Sequence, residues 1–355
     1  MRATARRSAL LAAVAVAAAL VLAACGGDGE SSATTVTTAT TAATTTAPST
    51  TEASTATTAA STTAAPSTTV EATTTTVPGP HVVTHAMGET EVPGTITRLV
   101  VLDSSFLDAA IALGVTPVAA TEGVAGAGLP AYLGDATAQV QLVGQTTEPN
   151  LEQIAAMRPD LILGAKVRHE AIYDQLSAIA PTVFSESSGT NWTEQVRLTG
   201  ESLNRAGEAA GLLADFDARA KDVGAEIGAP GTSAVIVRFI PGQIRLYGPA
   251  TFSGSVLTAV GFDLGDKGYD PSYGMAVISA EQVDMLDTDV IFATNPEVES
   301  GGATSTDRGA VAALWSALPA VQNGRQFDIL DSTWMTGIGV IGANAILDDL
   351  EAKLG

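Results

Sequence analysis

Two stretches of the chain read alike without a gap. NLEQIAAMRPDLILGA starts at Asn150 and SAEQVDMLDTDVIFAT starts at Ser279. Glu152 matches Glu281, Gln153 matches Gln282, Asp160 matches Asp289 and Ile162 matches Ile291. Apolar positions also correspond: Ile154 with Val283, Met157 with Leu286, Leu161 with Val290. Each copy reads as a capped helix running into a buried strand. Shared α/β grammar can produce the apolar matches; the Glu-Gln and the Asp are harder to assign to it. The repeat points to two similar lobes.

The flanking sequence extends both units. Leu99 to Leu102 is a short apolar run, followed by a helical stretch from Ser105 to Leu113 closed by Gly114, then by Pro117 to Ala120. A strand at Leu161 to Leu163, a helix from Glu170 to Ile179 and a strand at Thr182 to Phe184 continue the alternation. In the second half, strands are expected at Ala234–Ile240, Ile244–Tyr247, Val290–Phe292 and Gln326–Leu330. Helices are expected from Ser253, from Ala280 and from about Ile341. Short apolar runs alternating with helical stretches argue for an α/β fold with mostly parallel sheets.

Between the halves the pattern changes. Asn191 with Glu194 three positions on resembles a capping box. Val196, Leu203, Ala206, Ala210, Leu213, Phe216, Ala220 and Val223 then describe one helical stripe, and no Pro intervenes before Pro230. The spacing predicts one long rigid helix over 191–228, on the order of 50 Å. Such a helix suits a strut.

The chain opens differently. Arg2, Arg6 and Arg7 precede an apolar run from Ala9 to Ala24. That order is a secretory signal, and the run falls short of the ~20 residues that span a bilayer. It ends in Leu22-Ala23-Ala24-Cys25, which resembles the bacterial lipobox. The resemblance implies that residues 1–24 are removed, that Cys25 is acylated and that the mature protein sits outside the cell, anchored to the membrane. From 25 to 80 the sequence is nearly all Thr, Ala, Ser and Pro, too poor in apolar bulk to offset its ordering entropy. It reads as a disordered tether.

A net charge of −21 argues against nucleic acid, and a single Cys allows no internal disulfide. There is no GxSxG turn, no Walker A loop and no catalytic Cys, so an enzyme is not expected. The three His, at 81, 85 and 169, are too few and too scattered for a Zn²⁺ or Mn²⁺ cluster.

Several segments together resemble the class III solute-binding proteins of bacterial ABC importers. These include TITRLVVLDSSFLDAAIALGVTPVAA from Thr95 and PNLEQIAAMRPDLILGAKVRHEAIYDQLSAIAPTVF from Pro149. The second half contributes RLYGPATFSGSVLTAVGFD from Arg245, ISAEQVDMLDTDVIFA from Ile278 and LWSALPAVQNGRQFDI from Leu314. The resemblance implies two α/β lobes, 81–190 and 229–355, joined by the 191–228 helix, with the ligand in the cleft between them. KVRHEAIYDQLSAIAPTVF and the late DSTW are similar to the branch that takes citrate-hydroxamate or carboxylate siderophores. A monomer is implied that carries a ferric siderophore to a permease dimer and its ATPase. Fe³⁺ would arrive with the ligand, and the protein would need no metal site or cofactor. Heme, cobalamin or a sensing role without transport are the alternatives.

Such a cargo presents paired oxygens, which planar Arg forks fit. Arg168 lies just past a strand end, where ligands sit in open α/β sheets. Arg238 interrupts an apolar strand and reads either as a ligand contact or as half of a buried salt bridge. Tyr247 and Trp334 could pack on the ligand or in the core. Arg308, Lys166, His169 and Trp192 complete the candidates. Glu152 and Glu281 sit in first helical turns, which the helix dipole favours by itself. The resemblance instead implies that they are the paired acids that meet Arg on the two permease subunits.

Overall fold

The computed structural model describes residues 78–123, 126–296, 309 and 311–355. The expected signal segment, Cys25, nearly all of the tether and Arg308 lie outside the described residues. The first lobe begins with a hairpin of β1 (His81–His85) and β2 (Gly88–Val92), which place Val83 and Val92 inside. Then come β3 (Leu99–Val101), α1 (Ser104–Ala112), β4 (Ala119–Glu122), β5 (Gln141–Gln145) and β6 (Glu148–Pro149). They are followed by α2 (Leu151–Ala156), β7 (Leu161–Ala165), α3 (Lys166–His169), α4 (Tyr173–Ser177) and β8 (Thr182–Ser185). The strand order is β6-β5-β4-β3-β7-β8, parallel except where β5 meets β6.

The strut is not one helix. It is α5 (Trp192–Ser202) and α6 (Ala206–Ile227), broken where Asn204 adopts a φ of 56°. Asn tolerates that left-handed conformation better than most residues. Its amide Nδ2 also donates to the Gly94 carbonyl (3.2 Å) and lies 3.2 Å from His81 Nδ1. Gly200 permits the turn: a Cβ there would stand 2.4 Å from that of Ala209. Helix α5 packs on α1 and so joins the first lobe, leaving α6, about 33 Å long, as the rigid connection.

The second lobe contains β9 (Ala234–Ile240), β10 (Gln243–Tyr247), α7 (Phe252–Val260), β11 (Met275–Ile278) and β12 (Val290–Thr294). After them come α8 (Ala312–Trp315), α9 (Pro319–Gln322), β13 (Gln326–Asp328), α10 (Asp331–Trp334) and α11 (Val340–Leu354). Its sheet, ordered β11-β10-β9-β12-β13, is mixed rather than mostly parallel. The turn at Pro241-Gly242 is too short for a crossover helix, so β10 must return antiparallel to β9. Among the described residues no helix is long and apolar enough to cross a membrane.

The repeated Asp acquires a physical role. Asp160, just before β7, accepts from Thr97 N and Oγ1 (both 2.9 Å) and Arg98 N (3.0 Å). Asp289, just before β12, accepts from Ser233 N (3.0 Å) and Oγ (2.7 Å). Each pins the start of the neighbouring parallel strand, β3 in one sheet and β9 in the other. Asp160→Ala and Asp289→Ala are each expected to cost about 1 kcal/mol. Sharing no partner, the two losses should add in the double variant, read from urea midpoints.

One apolar core runs through both lobes. It joins Leu99 and Phe106 to Trp192 and Phe216 on the connecting helices and to Ile236, Phe252 and Phe292 beyond them. Satellite cores lie behind each sheet. A shared, close-packed core resists hinge bending.

Candidate functional site

The carboxyl ends of the parallel strands face a cleft between the lobes. Asp103, two residues past β3, caps α1: its Oδ1 accepts from Ser105 N (3.2 Å) and Ser105 Oγ (2.8 Å). Its Oδ2 accepts from Arg168 Nε (3.2 Å) and from Ser188 Oγ (2.7 Å). One buried carboxylate thus ties the ends of β3, β7 and β8 together and aims Arg168. The Arg168 side chain stays 38% exposed while that of Asp103 is 2% exposed.

Arg238 in β9 has a matching holder in the other lobe. Its Nε and Nη2 donate to the two oxygens of Asp331, both at 2.6 Å, and Nη1 donates to Tyr247 Oη at 3.2 Å. The sequence left open a ligand contact or a buried ion pair at Arg238. The geometry contains the ion pair, and the same side chain also lines the cleft. Both guanidiniums retain N–H donors beyond these bonds.

The hollow has two connected parts. One, of about 460 Å³, is lined by Asp103, Thr121, Thr146, Arg168, Ser188 and Arg238 among others. The other, of about 220 Å³, is bordered by Tyr247, Phe252, Tyr273, Met275 and Ile338. Arg168, Ser188, Met335 and Ile338 border both. The loop over the first part is pinned by Glu122, whose carboxylate accepts from Gly126 N (2.9 Å) and Gly128 N (3.0 Å). Those bonds lower its pKa.

Four candidates are placed elsewhere or otherwise occupied. His169 is 1% exposed; Nδ1 accepts from Ala165 N (3.2 Å), so Nε2 carries the proton and donates to the Thr146 carbonyl (2.8 Å). Burial lowers its pKa, and with both nitrogens engaged neither is free to ligate heme iron. Trp192 is a core residue at the lobe junction, edge-on to Phe216 and Phe252, with Nε1 donating to Ser255 Oγ (3.0 Å). Trp334 borders the smaller part but is fully buried, stacked on Phe292 and donating to Asp349 (2.9 Å). Lys166 pairs with Glu186 at the surface (3.2 Å). Glu152 and Glu281 are both exposed in first helical turns. No group of His, Cys, Asp and Glu among the described residues could hold a metal ion.

Sequence reading missed Asp103, Asp331, Ser188 and Tyr273. Asp103 carried a findable signal as a helix cap before the SSFLDAA stretch. Asp331 opens the DSTW stretch, but pairing it with Arg238 requires the fold.

Residues 99–333 match the periplasmic binding protein family. The chain is 36% identical over 279 residues to the probable siderophore-binding lipoprotein YfiY of Bacillus subtilis (strain 168), covering 76% of this chain and 86% of that one. It is 30% identical over 277 residues to the Fe(3+)-citrate-binding protein YfmC of the same organism, covering 77% and 85%. Staphylococcus aureus SirA complexed with staphyloferrin B superposes with a TM-score of 0.68 at 30% identity, over 77% of this chain and 98% of that one. The family match runs from the strand that opens the first sheet to the short helix that carries Asp331, and so this chain belongs to the periplasmic binding protein family.

Proposed function

We propose that this protein is an extracytoplasmic solute-binding lipoprotein, not an enzyme, that captures a ferric siderophore in the interlobe cleft and delivers it to an ABC permease. The observation that carries the reading is the placement of Arg168 and Arg238, one from each lobe, on a single hydroxyl-rich hollow. Each is fixed by a buried carboxylate, so it offers oriented N–H donors without losing much conformational freedom on binding. A chelated Fe³⁺ presents oxygens outward and asks the protein for hydrogen bonds rather than metal ligands. Relatives named for siderophore and ferric citrate binding support the same class of cargo. A citrate-hydroxamate or carboxylate chelator is the favoured type.

The Arg residues before the apolar run and the lipobox at Cys25 support a lipid anchor, with the Thr-rich stretch as its tether. Exposure of Glu152 and Glu281 fits docking on the permease, which with its ATPase would be the partner of a monomeric binder. Arg308 remains a further candidate for the ligand.

Intrinsic fluorescence tests the cargo directly, with Trp192, Trp315 and Trp334 as reporters. Saturable quenching by ferric citrate or a ferric hydroxamate, with none by hemin or cobalamin, is the expected result; a Soret shift with hemin would reverse the assignment. For docking, Glu152→Lys with Glu281→Lys is expected to abolish iron uptake in cells while leaving ligand affinity unchanged. Normal uptake by that variant would remove the docking role.

A further inference from the structure

The two parts of the cleft differ in chemistry. Beyond the four residues that border both, the larger adds Arg238 and the hydroxyls of Thr121 and Thr146, which lie 3.2 Å apart. The smaller adds the apolar surfaces of Phe252, Tyr273 and Met275, with Thr190 and Ser253 beside them. Of its hydroxyls, that of Thr251 is spent capping α7, donating to the Gly248 carbonyl (2.7 Å) and accepting from Gly254 N (3.2 Å). Tyr247 marks the boundary. Its hydroxyl accepts from Arg238, and its ring borders the smaller part.

Tyr273 is the unexplained residue. It is 64% exposed, a large aromatic surface left in water at the edge of the hollow. Its position is not that of a loose loop. Asp270 Oδ1 accepts from Ser272 N (2.7 Å) and Tyr273 N (3.2 Å), and Gly274 N donates to the Asp270 carbonyl (2.7 Å). The Gly274 carbonyl in turn accepts from Gly248 N (2.9 Å), just after β10. Gly274 itself has a φ of 68° and close neighbours in Ala250 and Thr251, so the turn accepts little else there. The backbone at Tyr273 is therefore held in place, and its side chain lines the hollow together with Met275 and Met335, which adapt to irregular apolar shapes.

We propose that the smaller part is a subsite for an apolar arm of the chelator, an alkyl or aryl group that packs against Tyr273, Met275 and Ile338. The iron's oxygen shell then lies in the larger part beside Arg168 and Arg238. This rests on the ferric-cargo reading and refines it: the preferred ligand is two-sided, polar around the metal and apolar at one end. A compact, uniformly polar complex leaves the subsite to water.

A matched pair of chelators separates the arm from the metal. Citric acid mono-methylamide and mono-benzylamide have the same charge and the same iron donors, and differ only in the arm. Calorimetric titration of their ferric complexes is expected to give about tenfold tighter binding of the benzylamide complex by the full chain, from the apolar area removed from water. In Tyr273→Ser, at an exposed position where the fold has little to lose, that ratio should fall to within about twofold. Equal affinities in the unsubstituted protein, or an undiminished ratio in Tyr273→Ser, would overturn the subsite alone. If neither ferric complex binds, the cargo reading fails and the subsite falls with it.

Discussion

Arg168→Gln is expected to weaken ferric-siderophore binding by roughly 10- to 100-fold with little change in stability. The range is that of one charge-assisted hydrogen bond, about 1.5–3 kcal/mol, with tenfold per 1.4 kcal/mol. Its partial exposure argues for the lower part of that range, and Asp103 retains its bonds from Ser105 and Ser188 when the guanidinium is gone. The contrast is Arg238→Gln. Removing that side chain takes a bidentate partner from Asp331, whose side chain is only 7% exposed, and breaking such a pair costs about 3–5 kcal/mol of fold stability. Replacing both members together, as in Arg238→Met with Asp331→Leu, is expected to recover most of that stability because neither charge of the pair is kept without the other. Binding should not recover with it. Thermal melts and titrations on the three variants separate the roles, and unchanged affinity in Arg168→Gln would remove that residue from the site.

Asp108 supports the second large expectation. It lies in α1, is fully buried, and caps a helix on the far side of the chain. Its oxygens accept from Ile341 N and Gly342 N (both 2.9 Å) and from Tyr132 Oη (3.0 Å). Helix α11 has only Gly339 at its cap position, and that glycine sits against Asp108, where a Cβ would stand 2.3 Å from Oδ1. One side chain from the first lobe thus finishes the last helix. Asp108→Ala leaves three donors unanswered and is expected to cost about 3 kcal/mol or more, lowering Tm by roughly 6–12 °C.

The same carboxyl makes stability depend on pH. Burial pushes its pKa from 3.8 up to about 7, against the lowering effect of its donors. Between those values the native state holds a proton that the unfolded chain has released. Stability from this group is therefore complete below about pH 4 and declines as pH rises to about 7, by up to ~1.4 kcal/mol per unit. Asp108→Asn, which cannot titrate, should flatten that part of the stability profile. An unaltered profile would show that the carboxyl is ionised throughout, held by its donors and the helix dipole.

What could be read without coordinates is what repeats along the chain. Apolar runs place β3, α1, β7, β9 and β12 because these are buried on nearly all sides, and a helical period places α11, which buries one face. The duplicated Glu-Gln and Asp announced two lobes, and Arg168 stood out as a cation past a strand end. The helix break at Asn204 was invisible because the apolar stripe runs on through Leu203 and Ala206; the left-handed turn at Asn204 and the close approach to Ala209 that Gly200 allows belong to the fold. Likewise no local pattern couples Arg238 to Asp331, Arg168 to Asp103, or Asp108 to the start of α11. Most elements and the two-lobed plan are thus written in the order of residues along the chain. Which acid holds which cation, and which aromatics are core, depends on how the layers pack, since those pairings join residues far apart in the chain.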